Sequence, residues 1–244
     1  MKSKQTSFEQ KNEDETIDMV LKFSYKQENL SEYDKQMIET YQIQIKNGIL
    51  TLDNIYDLTS LEFIQLLNIH TLELGYCDNI IPKLESKTIT QLHIRNCQIQ
   101  SVKNFQLDNL EILEICHLDM NDLFESKTIV QEIVMFQKLK ELYLTGWDID
   151  ISSFSLMSNL TKLALNYCEL GGIAVLSLLV NLEELCIDQK EVDIISLQHL
   201  TKLTKLSLRH CNLDNIYALR LLTKLEVLDI SLIKKILILL CFRI

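Results

Sequence analysis

A leucine pattern that recurs along most of the chain constrains the possible folds more than any other feature of this sequence. Complete copies of L-x-x-L-x-L-x-x-C-x-L begin at Leu160 and Leu203, and a copy with isoleucine substitutions begins at Ile89. Less complete copies begin at Ile69, Leu110, Leu139, Leu182 and Leu225. Successive copies are 20, 21, 29, 21, 22, 21 and 22 residues apart. Because one unit cannot bury its own apolar residues, we expect the units to stack around a continuous core.

This pattern resembles the short leucine-rich repeats of about 22 residues, as in the internalins and in a family of protein-phosphatase regulators. The chain is also similar to leucine-rich repeat proteins that are abundant in unicellular eukaryotes. The resemblance implies an α/β fold, a right-handed solenoid with a curved parallel β-sheet on its concave face. Units this short leave room for 3₁₀ or irregular turns on the convex face. The repeat domain is predicted to span residues 49–233.

Both ends of the chain depart from the repeat. Residues 1–30 are acidic and polar and are predicted to be largely disordered. Residues 31–48 carry apolar side chains at helical spacing and end at Gly48, which predicts an amphipathic helix that caps the first coil. Residues 234–244 form an apolar tail. Two interpretations of the tail stay open, a final structural element and the truncated end of a longer array.

The 29-residue step contains an insertion near residues 125–138. Ile129, Val130 and Ile133 recur there at helical spacing. We therefore expect one α-helix on the convex side of an enlarged repeat.

Charge and hydropathy limit the partners. The net charge is −10 and the pI is near 5.0, which disfavours nucleic acid or an anionic membrane as a partner. The start of the chain lacks the apolar region of a secretory signal, and no apolar run approaches the roughly 20 residues that span a bilayer. These observations predict a cytoplasmic protein, with the nucleus left open, and reduced cysteines.

Four cysteines occupy one slot of the repeat: Cys77, Cys97, Cys168 and Cys211. Only Cys77 and Cys97 lie on adjacent coils, which a sheet spaces about 5 Å apart. The others are too far away to share a tetrahedral metal ion. We predict no metal site and interpret the four cysteines as a structural ladder at the turn that leaves each strand.

Catalytic motifs are missing from the sequence, including phosphate-binding glycine loops, nucleophile elbows and zinc-binding H-E-x-x-H. His210 and Cys211 are neighbours, but adjacent residues in a strand point to opposite sides or separate at the turn. A nucleophile and its base must converge. The sequence therefore predicts a non-enzymatic protein without a cofactor.

The concave face is the remaining candidate site, because residues between the inward leucines of each strand point outward. Aromatic and arginine side chains among them are typical of interfaces. The candidate partner-binding residues are Glu73, Tyr76, His93, Arg95, Glu114, Tyr143, Asn166, Tyr167, Asp188, Arg209, His210 and Asp229. The predicted function is a scaffold that binds a protein partner through this face. Alternatives are a regulatory subunit of a signalling enzyme, such as a protein phosphatase, and a fragment of a longer repeat protein.

Overall fold

The computed structural model describes residues 44–54, 60–77, 80–117, 124–125, 127–188, 192, 194–211 and 216–230. The predictions for residues 1–30, for most of the capping helix and for the tail at 234–244 lie outside these residues. In the described part of the chain, no helix is long and apolar enough to cross a membrane.

The strands follow the repeat. In chain order, the strands of the described residues are β1 (Gln44–Lys46), β2 (Ile49–Asp53), β3 (Thr71–Gly75), β4 (Leu84–Glu85), β5 (Gln91–Arg95), β6 (Phe105–Gln106), β7 (Ile112–Cys116), β8 (Phe124–Glu125), β9 (Glu141–Thr145), β10 (Trp147–Asp150), β11 (Lys162–Asn166), β12 (Glu169–Gly171), β13 (Glu184–Asp188), β14 (Lys205–Arg209) and β15 (Val227–Asp229). Ten of them form one sheet in the order β1-β2-β3-β5-β7-β9-β11-β13-β14-β15. Every neighbouring pair after β1 and β2 is parallel, so the predicted solenoid is confirmed.

The core is built from leucines that stack on one another from strand to strand. One such column contains Leu72, Leu92, Leu113, Leu142, Leu163, Leu185 and Leu206, all of them buried. The alternation of buried and partly exposed residues along each strand follows the period of two that a pleated strand imposes. Stacking of identical residues thus fixes the register, because a shift by one residue would turn every leucine to the open face.

Turns on the other side of each coil close the solenoid. They include 3₁₀ helices at Glu62–Leu66, Ile151–Leu156, Ile173–Leu178, Ile194–Leu197 and Ile216–Leu221. The prediction of short 3₁₀ turns is therefore confirmed. Two small parallel sheets, β4 with β6 and β8 with β10 and β12, were not predicted from the sequence. Their strands have only two to four residues, too few for an alternating pattern to show.

Asparagines tie successive coils together outside the core. Three asparagines with this role each directly precede the first leucine of a repeat: Asn109, Asn159 and Asn181. The side-chain amide of each donates to a backbone carbonyl oxygen about one repeat earlier, at 2.7–2.8 Å. These bonds satisfy carbonyl groups that the turn leaves without a backbone partner.

The predicted capping helix is wrong over its last residues. Gln44–Lys46 form β1, which pairs antiparallel with β2 through the turn at Asn47 and Gly48. Both turn residues have positive φ, 53° and 74°, the geometry of a two-residue type I′ hairpin turn. Asn-Gly strongly favours this turn, so Gly48 ends no helix. Residues 31–43 of the predicted helix lie outside the described residues.

The inserted helix is real but shorter than predicted. Helix α1 spans Lys127–Ile133 instead of 125–138, and Glu125 belongs to β8. Ile129, Val130 and Ile133 are buried, as their spacing predicted. After α1, the backbone N–H groups of Met135 and Phe136 donate to the carbonyl oxygens three residues earlier, at 3.0–3.1 Å. This tighter turn directs the side chain of Phe136 into the core. The chain must re-enter the repeat there, and a longer helix would carry it past that point.

Candidate functional site

The open face of the main sheet presents three rows of side chains. The first row, from β3 onward, contains Thr71, Gln91, Ile112, Glu141, Lys162, Glu184, Lys205 and Val227. The middle row contains Glu73, His93, Glu114, Tyr143, Ala164, Cys186, Ser207 and Asp229. The last row contains Gly75, Arg95, Cys116, Thr145, Asn166, Asp188 and Arg209. The predicted strand residues therefore share one face.

The first row was missed by the sequence reasoning. Each of its residues directly precedes the second leucine of a repeat, and extending the alternation by one residue would have found it. Lys162 lies between Glu141 and Glu184, with its Nζ 3.2 and 3.9 Å from their Oε1 atoms. The Nζ of Lys205 is 2.9 Å from the same Glu184 oxygen. Four charges of alternating sign thus cross four adjacent strands.

Tyr143 extends this chain of charges into the middle row. Its hydroxyl donates to Oε2 of Glu141 at 2.7 Å. Burial and this bond to a carboxylate raise the pKa of Tyr143, so the phenol stays protonated. The ring is thereby fixed above the sheet, which limits the side-chain entropy that a bound partner would remove.

A second cluster forms on β5 and β7, near the start of the sheet. His93 Nδ1 lies 2.7 Å from Oε2 of Glu114, and Arg95 reaches the same oxygen at 3.5 Å. The hydrogen bond that His93 donates lowers the pKa of Glu114, and the nearby Arg95 guanidinium lowers it further. On the neighbouring strand, Glu73 accepts a hydrogen bond from the Thr51 hydroxyl at 3.0 Å.

A groove of about 530 Å³ lies over the C-terminal strands, from β9 to β15. Its floor carries Ala164, Cys186 and Ser207, the small residues of the middle row. Its lining includes six of the predicted residues, Tyr143, Asn166, Tyr167, Asp188, Arg209 and Asp229. The predicted residues Glu73, Tyr76, His93, Arg95, Glu114 and His210 lie outside the groove. The groove is therefore concave because the side chains on its floor are smaller than those of its walls.

Ionic contacts organise the far wall of the groove. Arg209 places Nε and Nη2 each 2.7 Å from Oδ2 of Asp229. The Asp229 carboxylate raises the pKa of Arg209. Both side chains remain partly exposed, so this pair contributes little to stability and stays accessible to a ligand.

Three of the predicted partner-binding residues share an unusual backbone conformation. Tyr76, Tyr167 and His210 directly follow their strands and have positive φ of 50°, 52° and 55°. This turn projects their side chains to the edge of the face, where about half of the surface of Tyr76 and Tyr167 is exposed. Residues other than glycine rarely adopt such angles, although Asn, Asp and His do so more often than the bulky tyrosines.

The cysteine slot lies just beneath this rim. Cys77, Cys168 and Cys211 are buried, and Cys97 is partly exposed. Each of the four thiols donates to the backbone carbonyl two residues earlier, at 3.3–3.6 Å. Burial raises the pKa of Cys168 to about 11, so it stays a thiol at neutral pH. These contacts are those expected of a structural ladder.

Nucleophilic catalysis by the adjacent residues His210 and Cys211 would require their side chains to converge. His210 is exposed at the turn, whereas Cys211 is buried and bonds backbone carbonyls, so the two separate as expected. Among the described residues, no group of three or more His, Cys, Asp or Glu side chains could hold a metal ion.

The structure is similar to solved leucine-rich repeat proteins. It matches internalin C2 from Listeria monocytogenes with a TM-score of 0.60 and 22% identity, over 75% of this chain and 80% of that one. It matches a leucine-rich repeat protein of Leptospira interrogans with a TM-score of 0.58 and 22% identity, over 75% of this chain and 48% of that one. At such identities the similarity establishes the leucine-rich repeat fold alone. No family model and no curated protein matches the sequence.

Proposed function

We propose that this leucine-rich repeat solenoid is a non-catalytic interaction module, and that the open face of its sheet binds a protein partner. The groove over β9 to β15 carries this proposal. It combines a floor of small side chains with a tyrosine, Tyr143, fixed by a hydrogen bond and an exposed tyrosine, Tyr167, at its rim. Aromatic anchors beside desolvated small residues are typical of the energetic centres of protein interfaces.

The electrostatics of the face favour a protein over a polyanion. Lys162, Lys205 and Arg209 are each paired with a carboxylate of a neighbouring strand. A surface of alternating paired charges carries no basic stripe for phosphates. It can instead match the mixed charges and hydrogen-bonding groups of a protein surface. The regular sheet holds these groups in place, so little ordering is needed on binding.

Charge reversal tests the proposal. Arg95→Glu reverses a charge in the cluster on β5 and β7, and Arg209→Glu reverses one in the wall of the groove. Both side chains are exposed and lie outside the leucine core. We expect both substitutions together to reduce capture of partner proteins from native lysate at least tenfold, the size of one lost charged contact of about 1.4 kcal/mol. Captured proteins are identified and quantified by mass spectrometry against the wild-type chain.

Lys224→Glu supplies the control, because it makes the charge change of either single substitution at an exposed turn outside the sheet. Thermal melting must show that all variants stay folded. Capture that survives in the double variant, or that falls equally with Lys224→Glu, contradicts binding at the open face. The same experiment tests the enzyme-regulating alternative, which predicts a phosphatase catalytic subunit among the captured proteins.

A further inference from the structure

Cys77 and Cys97 form a pair that sets them apart from the other cysteines in the same slot. They lie on adjacent coils, just beyond the paired ends Gly75 and Arg95 of β3 and β5. The backbone N–H of Cys77 donates to Sγ of Cys97 at 3.4 Å. Backbones at sheet spacing, about 4.8 Å, lie within the range of 4.4–6.8 Å that a disulfide bridges.

The two sulfur atoms differ in environment. Cys77 is 1% exposed, whereas Cys97 is partly open to solvent. The neighbouring Cys77 side chain, and then its backbone N–H, lower the pKa of Cys97 despite the opposing effect of burial. A thiolate that solvent can reach is the form that oxidants attack. Cys77 is placed behind it as the resolving thiol.

The other cysteines in the described part of the chain lack this arrangement. Cys168 and Cys211 donate to backbone carbonyls of their own and neighbouring coils, and burial raises the pKa of Cys168. Burial likewise raises the pKa of Cys116 and of Cys186 on the open face. The thiols of Cys116, Cys168 and Cys186 therefore hold less of the reactive form at neutral pH.

We propose that Cys77 and Cys97 are a peroxide-sensitive modification site, at which oxidation forms a disulfide that joins two adjacent coils. The Cys97 thiolate attacks one oxygen of hydrogen peroxide, and the O–O bond breaks so that its electron pair goes to the other oxygen. Hydroxide leaves, takes up a proton to become water, and Cys97 becomes a sulfenic acid. The Cys77 sulfur then displaces the sulfenic hydroxyl, a second water leaves, and the S–S bond is complete.

Oxidation also has a mechanical consequence. The bridge would close a loop of about one repeat, which reduces the freedom of the unfolded chain. Repeat units otherwise contact mainly their neighbours, so a covalent link between two of them stiffens the N-terminal part of the sheet. A thiol-reducing agent reverses the step by exchange. This inference does not depend on the proposed partner binding.

Thiol counting on the full chain tests the inference. The reduced protein, with its seven cysteines, is treated with hydrogen peroxide, and remaining thiols are alkylated and counted by intact mass. We expect the loss of two thiols with a mass decrease of about 2 Da, a peptide that joins Cys77 to Cys97, and full reversal by dithiothreitol. The melting temperature of the oxidised chain should rise by on the order of 5 °C.

Variants assign the roles of the two sulfurs. Cys97→Ser should retain the Cys77 thiol under the same treatment, and Cys77→Ser should accumulate a sulfenic acid on Cys97 that dimedone traps. Cys168→Ser and Cys211→Ser, substituted in the same slot, should oxidise like the wild type. The inference is overturned if the wild-type chain keeps all thiols at peroxide concentrations that oxidise glutathione. It is also overturned if peptide mapping finds a different bridge, and neither result requires a variant to fold.

Discussion

At the scale of single residues, the turns that leave β2, β3, β5, β9, β11 and β14 impose a left-handed backbone conformation. Asn54 and Asn96 adopt it with φ of 56° and 50°, and Gly146 with φ of 80°. These residue types tolerate positive φ. Tyr167 occupies the same position at a cost of roughly 1 kcal/mol, with its ring half exposed. A bulky aromatic kept at a strained and exposed position points to a role in binding.

Substitution of Tyr167 separates its backbone effect from its surface role. Tyr167→Gly relieves the strain while losing chain stiffness, so we expect unfolding free energies within about 0.5 kcal/mol of wild type. Tyr167→Val keeps positive φ with a β-branched side chain and should cost about 1–2 kcal/mol. Urea denaturation measures both values. Both variants lose the ring, so a larger loss in the glycine variant than in the valine variant would contradict backbone strain at this position.

At the scale of elements, helix α1 is anchored to the preceding coil by a single carboxylate. Oε2 of Glu132 accepts hydrogen bonds from the Ser101 hydroxyl at 2.7 Å and from the Val102 N–H at 2.8 Å. Its Oε1 lies 3.4 Å from Nζ of Lys103, and the Glu132 side chain is only 8% exposed. Burial alone would raise the pKa of Glu132, but these donors outweigh it and lower the pKa.

This carboxylate makes the stability of the repeat pH-dependent. A lowered pKa in the folded state stabilises the protein above the unfolded pKa of about 4.3, and the contribution disappears as the pH falls through the folded pKa. We expect Glu132→Gln to cost about 1–3 kcal/mol at pH 7 and progressively less below about pH 4. Urea denaturation of both proteins between pH 3 and pH 7 measures the difference. A difference independent of pH would contradict this role for the charge.

The elements also show where local sequence signals were ambiguous. Gly48 was interpreted as a helix stop, although Asn47 before it makes the pair a strong hairpin signal. A glycine there has a tertiary reason too, because a Cβ atom would lie 2.7 Å from Cδ2 of His70. The insertion was recognised from apolar residues at helical spacing, but its end depends on where Phe136 must enter the core. Such a boundary is set by packing between coils and not by helical periodicity.

At the scale of the whole molecule, the repeat and the family that it resembles predicted the parallel sheet, its register and its core. Those features follow from residues such as Leu163 and Leu185, whose spacing along the chain also sets their stacking in space. The groove could not be predicted in this way. It arises because Ala164, Cys186 and Ser207 are small side chains that lie side by side on three strands. No single repeat reveals that combination.

The central claim is that a partner binds the open face of the sheet and not its opposite side. Site-specific photo-crosslinking tests it most directly, with benzoylphenylalanine placed at Lys205 in the groove or at Leu178. Leu178 ends a 3₁₀ helix away from the sheet and is 58% exposed, so it offers an equally accessible apolar comparison. We expect a partner adduct several times stronger from position 205 than from position 178. Equal adducts at both positions, or a stronger one at 178, would contradict the account.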